Sequence, residues 1–171
     1  GAASLNTPLF CPHMLTFDWF GRFAEFPVTA DGRCCVDIII SSPDGMCWFI
    51  AWAHTQFLDK DGQPLYLHPD RDVVAFEVHT PPAPEGMIMI ASYEITPSGI
   101  TFSQPAQLLI KYDPAIVPAG SVLIIAYYDE AAGKWVELET KGAVIAGELQ
   151  KDMVTCNIFH TTYFALFAKT K

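Results

Sequence analysis

The feature that most constrains this chain is its punctuation. Through residues 90–171, apolar residues alternate with polar ones in short runs, and Pro, Gly or Asp closes run after run. Alternation at a period of two sends successive side chains to opposite faces of a strand. Residues 106–112 and 122–128 therefore read as half-buried strands, a turn at 129–133 leads into a strand at 134–138, and residues 162–168 close the series. Short strands separated by turn signals at this spacing specify an all-β fold, an antiparallel β-sandwich of about ten to twelve short strands. No stretch of ten or more residues carries the helical period, and 112–116 holds one helical turn at most.

The first half follows the same grammar. The aromatic stretch 14–20 reads as a first edge strand or a short turn, and 23–28 as a further strand. The segments 34–41 and 46–54 make the best hairpin, because Ser42-Pro43-Asp44-Gly45 joins them: Pro presets φ and Gly supplies a positive φ. Asp59-Lys60-Asp61-Gly62 reads as another turn. A calcium loop of the EF-hand kind would need its Gly at the sixth position, and here it comes at the fourth. Residues 73–79 form a strand, and 87–95 a nearly continuous apolar one. Between them Thr80-Pro81-Pro82-Ala83-Pro84-Glu85-Gly86 cannot join a ladder, since Pro lacks the N–H. It reads as a stiff connection between two sheets or two half-domains. The inward-facing set expected from the alternation is Ile38, Ile40, Phe49, Val74, Phe76, Ile90, Leu108, Ile110, Leu123, Ile125, Trp135, Val154, Phe164 and Leu166.

A chain of 171 residues reads as one domain. Residues 1–20 form an irregular N-terminal arm or edge strand and 21–171 the sandwich, with a sub-boundary placed at the Pro-rich link 80–86. Hydrophobic residues make up 51% and charged ones 17%, which excludes disorder. The net charge of −9 argues against nucleic acid as a partner and against contact with anionic membrane surfaces. No apolar run reaches the ~18–20 residues that span a bilayer. The first residue is Gly1 rather than Met, so the sequence reads as a processed or engineered piece, with any signal and anchor outside it. The five cysteines (Cys11, Cys34, Cys35, Cys47 and Cys156) fit no zinc spacing. They read as buried free thiols, with a single disulfide joining two of them as the alternative. Adjacent Cys34 and Cys35 point to opposite faces if they lie on a strand.

Several motifs together resemble a known family. Tyr93-x-Ile95-x-Pro97-x-Gly99-x-x-Phe102-x-x-Pro105 is followed by Lys111-Tyr112-Asp113-Pro114, then Leu123-Ile124-Ile125-Ala126-Tyr127-Tyr128-Asp129, then Gly133-Lys134-Trp135, then His160-Thr161-Thr162-Tyr163-Phe164-Ala165-Leu166. In this order they resemble the ZU5/GAIN-like β-sandwich modules of prokaryotic cell-surface (S-layer-like) proteins. Residues 58–65 are similar to a hairpin those modules carry earlier in the domain. The resemblance spans about residues 21–168. It implies a non-enzymatic extracellular module at the cell surface. Its partners would be other surface proteins or other domains of the same parent chain.

Candidate chemistry is sparse. The nucleophile-elbow, P-loop and dinucleotide patterns are absent. The five histidines (13, 54, 68, 79 and 160) offer no pair at the i, i+2 spacing that sets two imidazoles on one strand face for a metal. Neither a metal nor another cofactor is expected. Glu137, Glu139 and Glu148 read as the solvated face of a sheet. Trp48 and Trp52 share a face if both lie on a strand. They would make a glycan platform if exposed, the alternative function being a carbohydrate-binding module, though core packing is the plainer expectation. The sharpest constellation is carried by the resemblance. His160 matches the base and Thr162 the nucleophile of the GAIN self-cleavage site, with the Thr161–Thr162 bond as the one cut. The hydroxyl would attack the preceding carbonyl, and water would hydrolyse the resulting ester. Trp135 and Cys156 match that motif as well. Ile158, however, replaces its next Cys, and no Cys lies near Gly142. Lacking those clamps, the strained geometry that cleavage needs is missing its support, and the bond is expected to stay intact.

Overall fold

The computed structural model describes residues 9–170. The thirteen strands are β1 (His13–Trp19), β2 (Arg22–Val28), β3 (Ile38–Ser41), β4 (Cys47–Ala51), β5 (Phe57–Leu58), β6 (Val73–Glu77), β7 (Met87–Thr96), β8 (Thr101–Lys111), β9 (Val122–Asp129), β10 (Lys134–Glu137), β11 (Lys141–Ile145), β12 (Glu148–His160) and β13 (Tyr163–Lys169). Two single 3-10 turns, Leu65–Leu67 and Pro114–Ile116, are the only helical elements among the described residues. The strands form an all-β sandwich of two sheets. One has the order β10-β9-β13-β7-β6-β1-β2, the other β11-β12-β8-β4-β3, with β5 appended to β8. Every strand pair is antiparallel except β1–β6, which is parallel.

The β3–β4 hairpin shows how local chemistry builds the fold. Ser42 Oγ accepts from the backbone N–H groups of Met46 and Cys47 at 3.1 and 3.0 Å, and Gly45 N–H donates to Ser42 O at 2.9 Å. Gly45 has φ +74°, a conformation glycine adopts without strain. The register that follows, Ile38↔Ala51 and Ile40↔Phe49, sends Ile38, Ile40, Cys47 and Phe49 inward.

Between the sheets lies one large core. Trp19, Phe17, Phe49, Phe57 and Phe164 are fully buried in it. Phe49 centres an aromatic group, with ring centroids 5.6 Å from Phe17, 5.5 Å from Trp19, 6.3 Å from Phe57 and 5.9 Å from Phe102. Offset and edge-to-face rings at such separations add to the area term, and each large side chain removed from water contributes about 1.5–3 kcal/mol.

Several expectations are corrected here. The stretch 14–20 is not an edge strand or a turn: β1 is paired on both sides, with β2 and with β6. Val74 and Phe76 do not face the core. Val73 and Ala75 do, because β1 sets Phe17 beside Val73 and Trp19 beside Ala75, and those large rings leave room only for small neighbours. Ile90 and Leu123 are half-buried against the core rather than inside it. At Ile90 the reason is a register shift, since β13 pairs Leu166 with Ala91 and Phe167 with Met89 and passes Ile90 by. Trp135 lies outside the sandwich interior, packed on the outer face of the seven-stranded sheet. The Pro-rich link joins two adjacent strands of one sheet, so it divides neither sheets nor half-domains. Cys11 and Cys35 form a disulfide, while Cys34, Cys47 and Cys156 are buried free thiols.

Candidate functional site

The His160–Thr162 segment joins β12 to β13 at one end of the sandwich, where the β7–β8 loop and the end of β9 meet it. Thr161 and Thr162 are buried and His160 is half-buried. Thr161 is held on four sides. Its Oγ donates to Pro97 O at 2.6 Å and accepts from Ile100 N–H at 3.0 Å. Its N–H donates to Ile100 O at 3.0 Å, and its carbonyl accepts from Gly99 N–H at 3.0 Å. Gly99 sits at φ +83°, and a Cβ there would stand 3.2 Å from Lys60 Cβ, so this approach suits glycine. Thr162 Oγ donates to Tyr128 O at 3.2 Å, and its carbonyl accepts from Ile95 N–H at 3.1 Å.

The His160 ring packs edge-on against Tyr127, centroids 4.7 Å apart. Burial pushes its pKa below the ordinary histidine value, with the Asp129 carboxylate pulling the other way. No hydrogen bond joins the imidazole to either threonine among the described residues. A recess of about 280 Å³ lies beside the segment, lined by His160, Thr162, Tyr127, Asp129 and Ser98. The arrangement can fasten three strand ends together. For acyl transfer, Thr162 Oγ would have to exchange the Tyr128 carbonyl for the imidazole as its proton acceptor.

Trp48 and Trp52 separate in the structure. Trp48 is half-buried on the outer face of the six-stranded sheet, beside Ile50, Leu109 and Met153, and its indole N–H donates to Gly45 O at 2.9 Å. Trp52 lies just past the end of β4 and is 47% exposed. Neither sits in the core between the sheets. The Asp59 turn forms as expected, with Asp59 Oδ1 accepting from Asp61 N–H and Gln63 N–H, each at 2.9 Å. Among the described residues no three His, Cys, Asp or Glu side chains gather as a metal cluster. Burial lifts the Cys34 thiol to about 11 and Cys156 to about 12, so both stay protonated and unreactive at neutral pH. Among the described residues no helix is long and apolar enough to cross a membrane.

A second arrangement had no signature in the sequence. Strand register sets one cross-strand row on the outer face of the seven-stranded sheet. Trp135 pairs with Tyr128, Tyr163 with Glu94, and Glu94 with Phe76. The β9–β13 register, Phe164↔Tyr127, extends by one residue to set Tyr163 beside Tyr128. Residues paired across antiparallel strands point to the same face. Tyr163 stands opposite Glu94; burial raises the Glu94 pKa, Tyr163 opposes the rise and neighbouring Glu130 adds to it. Comparison with protein-family models and with curated proteins gives no match for this chain.

Proposed function

We propose that this chain is a non-enzymatic extracellular module of a larger cell-surface protein, a structural and interaction element of the ZU5/GAIN-like kind. Its partners are other surface proteins or neighbouring domains of the same parent chain. The observation that carries the reading is the state of the His160–Thr162 segment. Both hydroxyls are hydrogen-bonded to backbone carbonyls, and the imidazole is packed on Tyr127, so the motif works as a fastener of strand ends. The acidic surface and the Cys11–Cys35 disulfide suit an oxidising, extracytoplasmic setting. Intact-mass measurement of the purified protein tests it. One species of full mass is expected after prolonged incubation. A fragment beginning at Thr162, abolished by His160→Ala or Thr162→Ala, would show a self-cleaving domain instead. The exposure of Trp52 favours a carbohydrate-binding reading. A glycan array decides that one: binding lost in Trp48→Ala and Trp52→Ala would establish it.

A further inference from the structure

The outer face of the seven-stranded sheet already holds one extended, proline-rich segment, which belongs to this chain. Thr80, Pro81 and Ala83 each precede a proline, which disfavours the helical region and keeps the backbone extended. Beyond the end of β6 the chain stays paired with β7 through Val78 and then passes over residues of β7, β9, β10 and β13. Ser92 Oγ donates to Val78 O at 2.6 Å, Thr80 Oγ1 lies 3.4 Å from Met89 Sδ, and the Trp135 indole N–H reaches Pro82 O at 3.0 Å. Ala83 rests on Ala126, Ala165 and Phe167. The small residues let the strap backbone come close, and Trp135 anchors it between Tyr128 and Phe167, at centroid distances of 5.3 and 5.1 Å. An aromatic ring edge and an indole donor meeting a proline carbonyl is the chemistry by which polyproline segments are recognised, because that backbone makes no internal hydrogen bonds.

The aromatic row lies one pleat away: Tyr128 and Tyr163 are two residues along β9 and β13 from Ala126 and Ala165, on which Ala83 rests. Tyr128, Tyr163 and Phe76 are half-buried, leaving ring surface open to solvent, and the carboxylates of Glu94 and Glu130 lie among them. At ~4.8 Å per strand, the row from Tyr128 to Phe76 is about 14 Å long, enough for four to five residues of polyproline at ~3.1 Å each. We propose that this row binds a second extended, proline-rich peptide segment bearing a Lys or Arg side chain, laid beside the chain's own strap. Pro rings would lie against Tyr128, Tyr163 and Phe76, the Tyr128 hydroxyl would donate to a peptide carbonyl, and the cation would pair with Glu94 and Glu130. The net charge of −9 favours a basic partner at close approach. This rests on the interaction-module reading and names its partner. The mass measurement above reads a different bond, so the two stand or fall separately.

The test is a titration of the full chain, followed by heteronuclear NMR, with three probes: a decaproline peptide with Arg at each end, the same peptide with Glu at each end, and cellohexaose. The Arg-flanked peptide is expected to shift the amide signals of Tyr128, Tyr163 and Glu94. Tyr163→Ser should weaken it at least about tenfold, and Glu94→Gln, which preserves size, about fivefold, with circular dichroism confirming that each variant is folded. Unmoved signals at millimolar peptide would overturn the proposal. Equal binding of the Glu-flanked peptide would also overturn it, as would cellohexaose shifting these signals when the peptide does not.

Discussion

The two outer faces of this sandwich solve the same problem differently. Each sheet carries an apolar patch on the side away from the core, and each patch holds a tryptophan whose indole N–H is bonded to a backbone carbonyl. On the six-stranded sheet Trp48 bonds Gly45 O, three residues away, and packs with Ile50, Leu109 and Met153 from neighbouring strands. On the seven-stranded sheet Trp135 bonds Pro82 O, fifty-three residues away, and the chain itself lies over the patch. The first arrangement is local: the turn that makes the hairpin also supplies the acceptor. The second exists only once β6, β7, β9, β10 and β13 are assembled, and it fastens a segment that has no ladder of its own. Similar hydrogen bonds therefore do different work, and substitution should separate them.

The core between the sheets sets the scale. Phe17→Ala should cost about 3–5 kcal/mol, the usual range for a large buried ring, read as a fall in the urea midpoint at unchanged slope. Trp135→Ala should cost less, about 2–3 kcal/mol for a half-buried ring. It should also open the strap to protease at residues 80–86, which Trp48→Ala of similar cost should not do. Equal cleavage of the two variants would erase the distinction between the faces. Trp135→Phe keeps an aromatic ring but removes the indole donor together with the five-membered ring that bears it, so about 1–2 kcal/mol is expected, with an intermediate cleavage rate.

The smallest expected effect concerns the strand-end fastener, which shares β9 and β13 with the strapped face. The fold holds the His160 pKa below its unfolded value, so it favours the neutral ring. The associated stability is whole above the unfolded value near 6.5 and is lost as pH falls through it toward the folded value. Melting temperature should therefore decline from pH 8 to pH 5, and His160→Gln should flatten that decline. An unchanged profile would remove His160 from the account.

Much of this architecture is legible in the sequence for a local reason. Ser42-Pro43-Asp44-Gly45 makes its turn from its own atoms, and the Ile38, Ile40 and Phe49 alternation then has one apolar phase to bury. Leu108, Ile110, Ile125, Phe164 and Leu166 face inward by the same rule. The rule fails at Val73-Val74-Ala75-Phe76, where both phases are apolar. There the bulkier pair looks like the core pair, yet the large rings of β1 take that space and turn Phe76 outward. The candidate site divides similarly. The His160-Thr161-Thr162 string is visible by resemblance, but the partners of its hydroxyls, Pro97 and Tyr128, come from distant strands.

By itself, then, the sequence determined most of the strands, many of their turns and the inward phase wherever only one phase was apolar, because those choices depend on neighbours a few residues apart. Tertiary structure alone decided which adjacent cysteine would be joined: Cys34 turned into the core and Cys35 met Cys11. It also decided that a proline-rich link would lie across a sheet on Trp135, and that Tyr128, Tyr163, Glu94 and Phe76 would share one row. Each of these depends on strand order and register, which are set by the packing of whole sheets and leave no mark in any single stretch of chain.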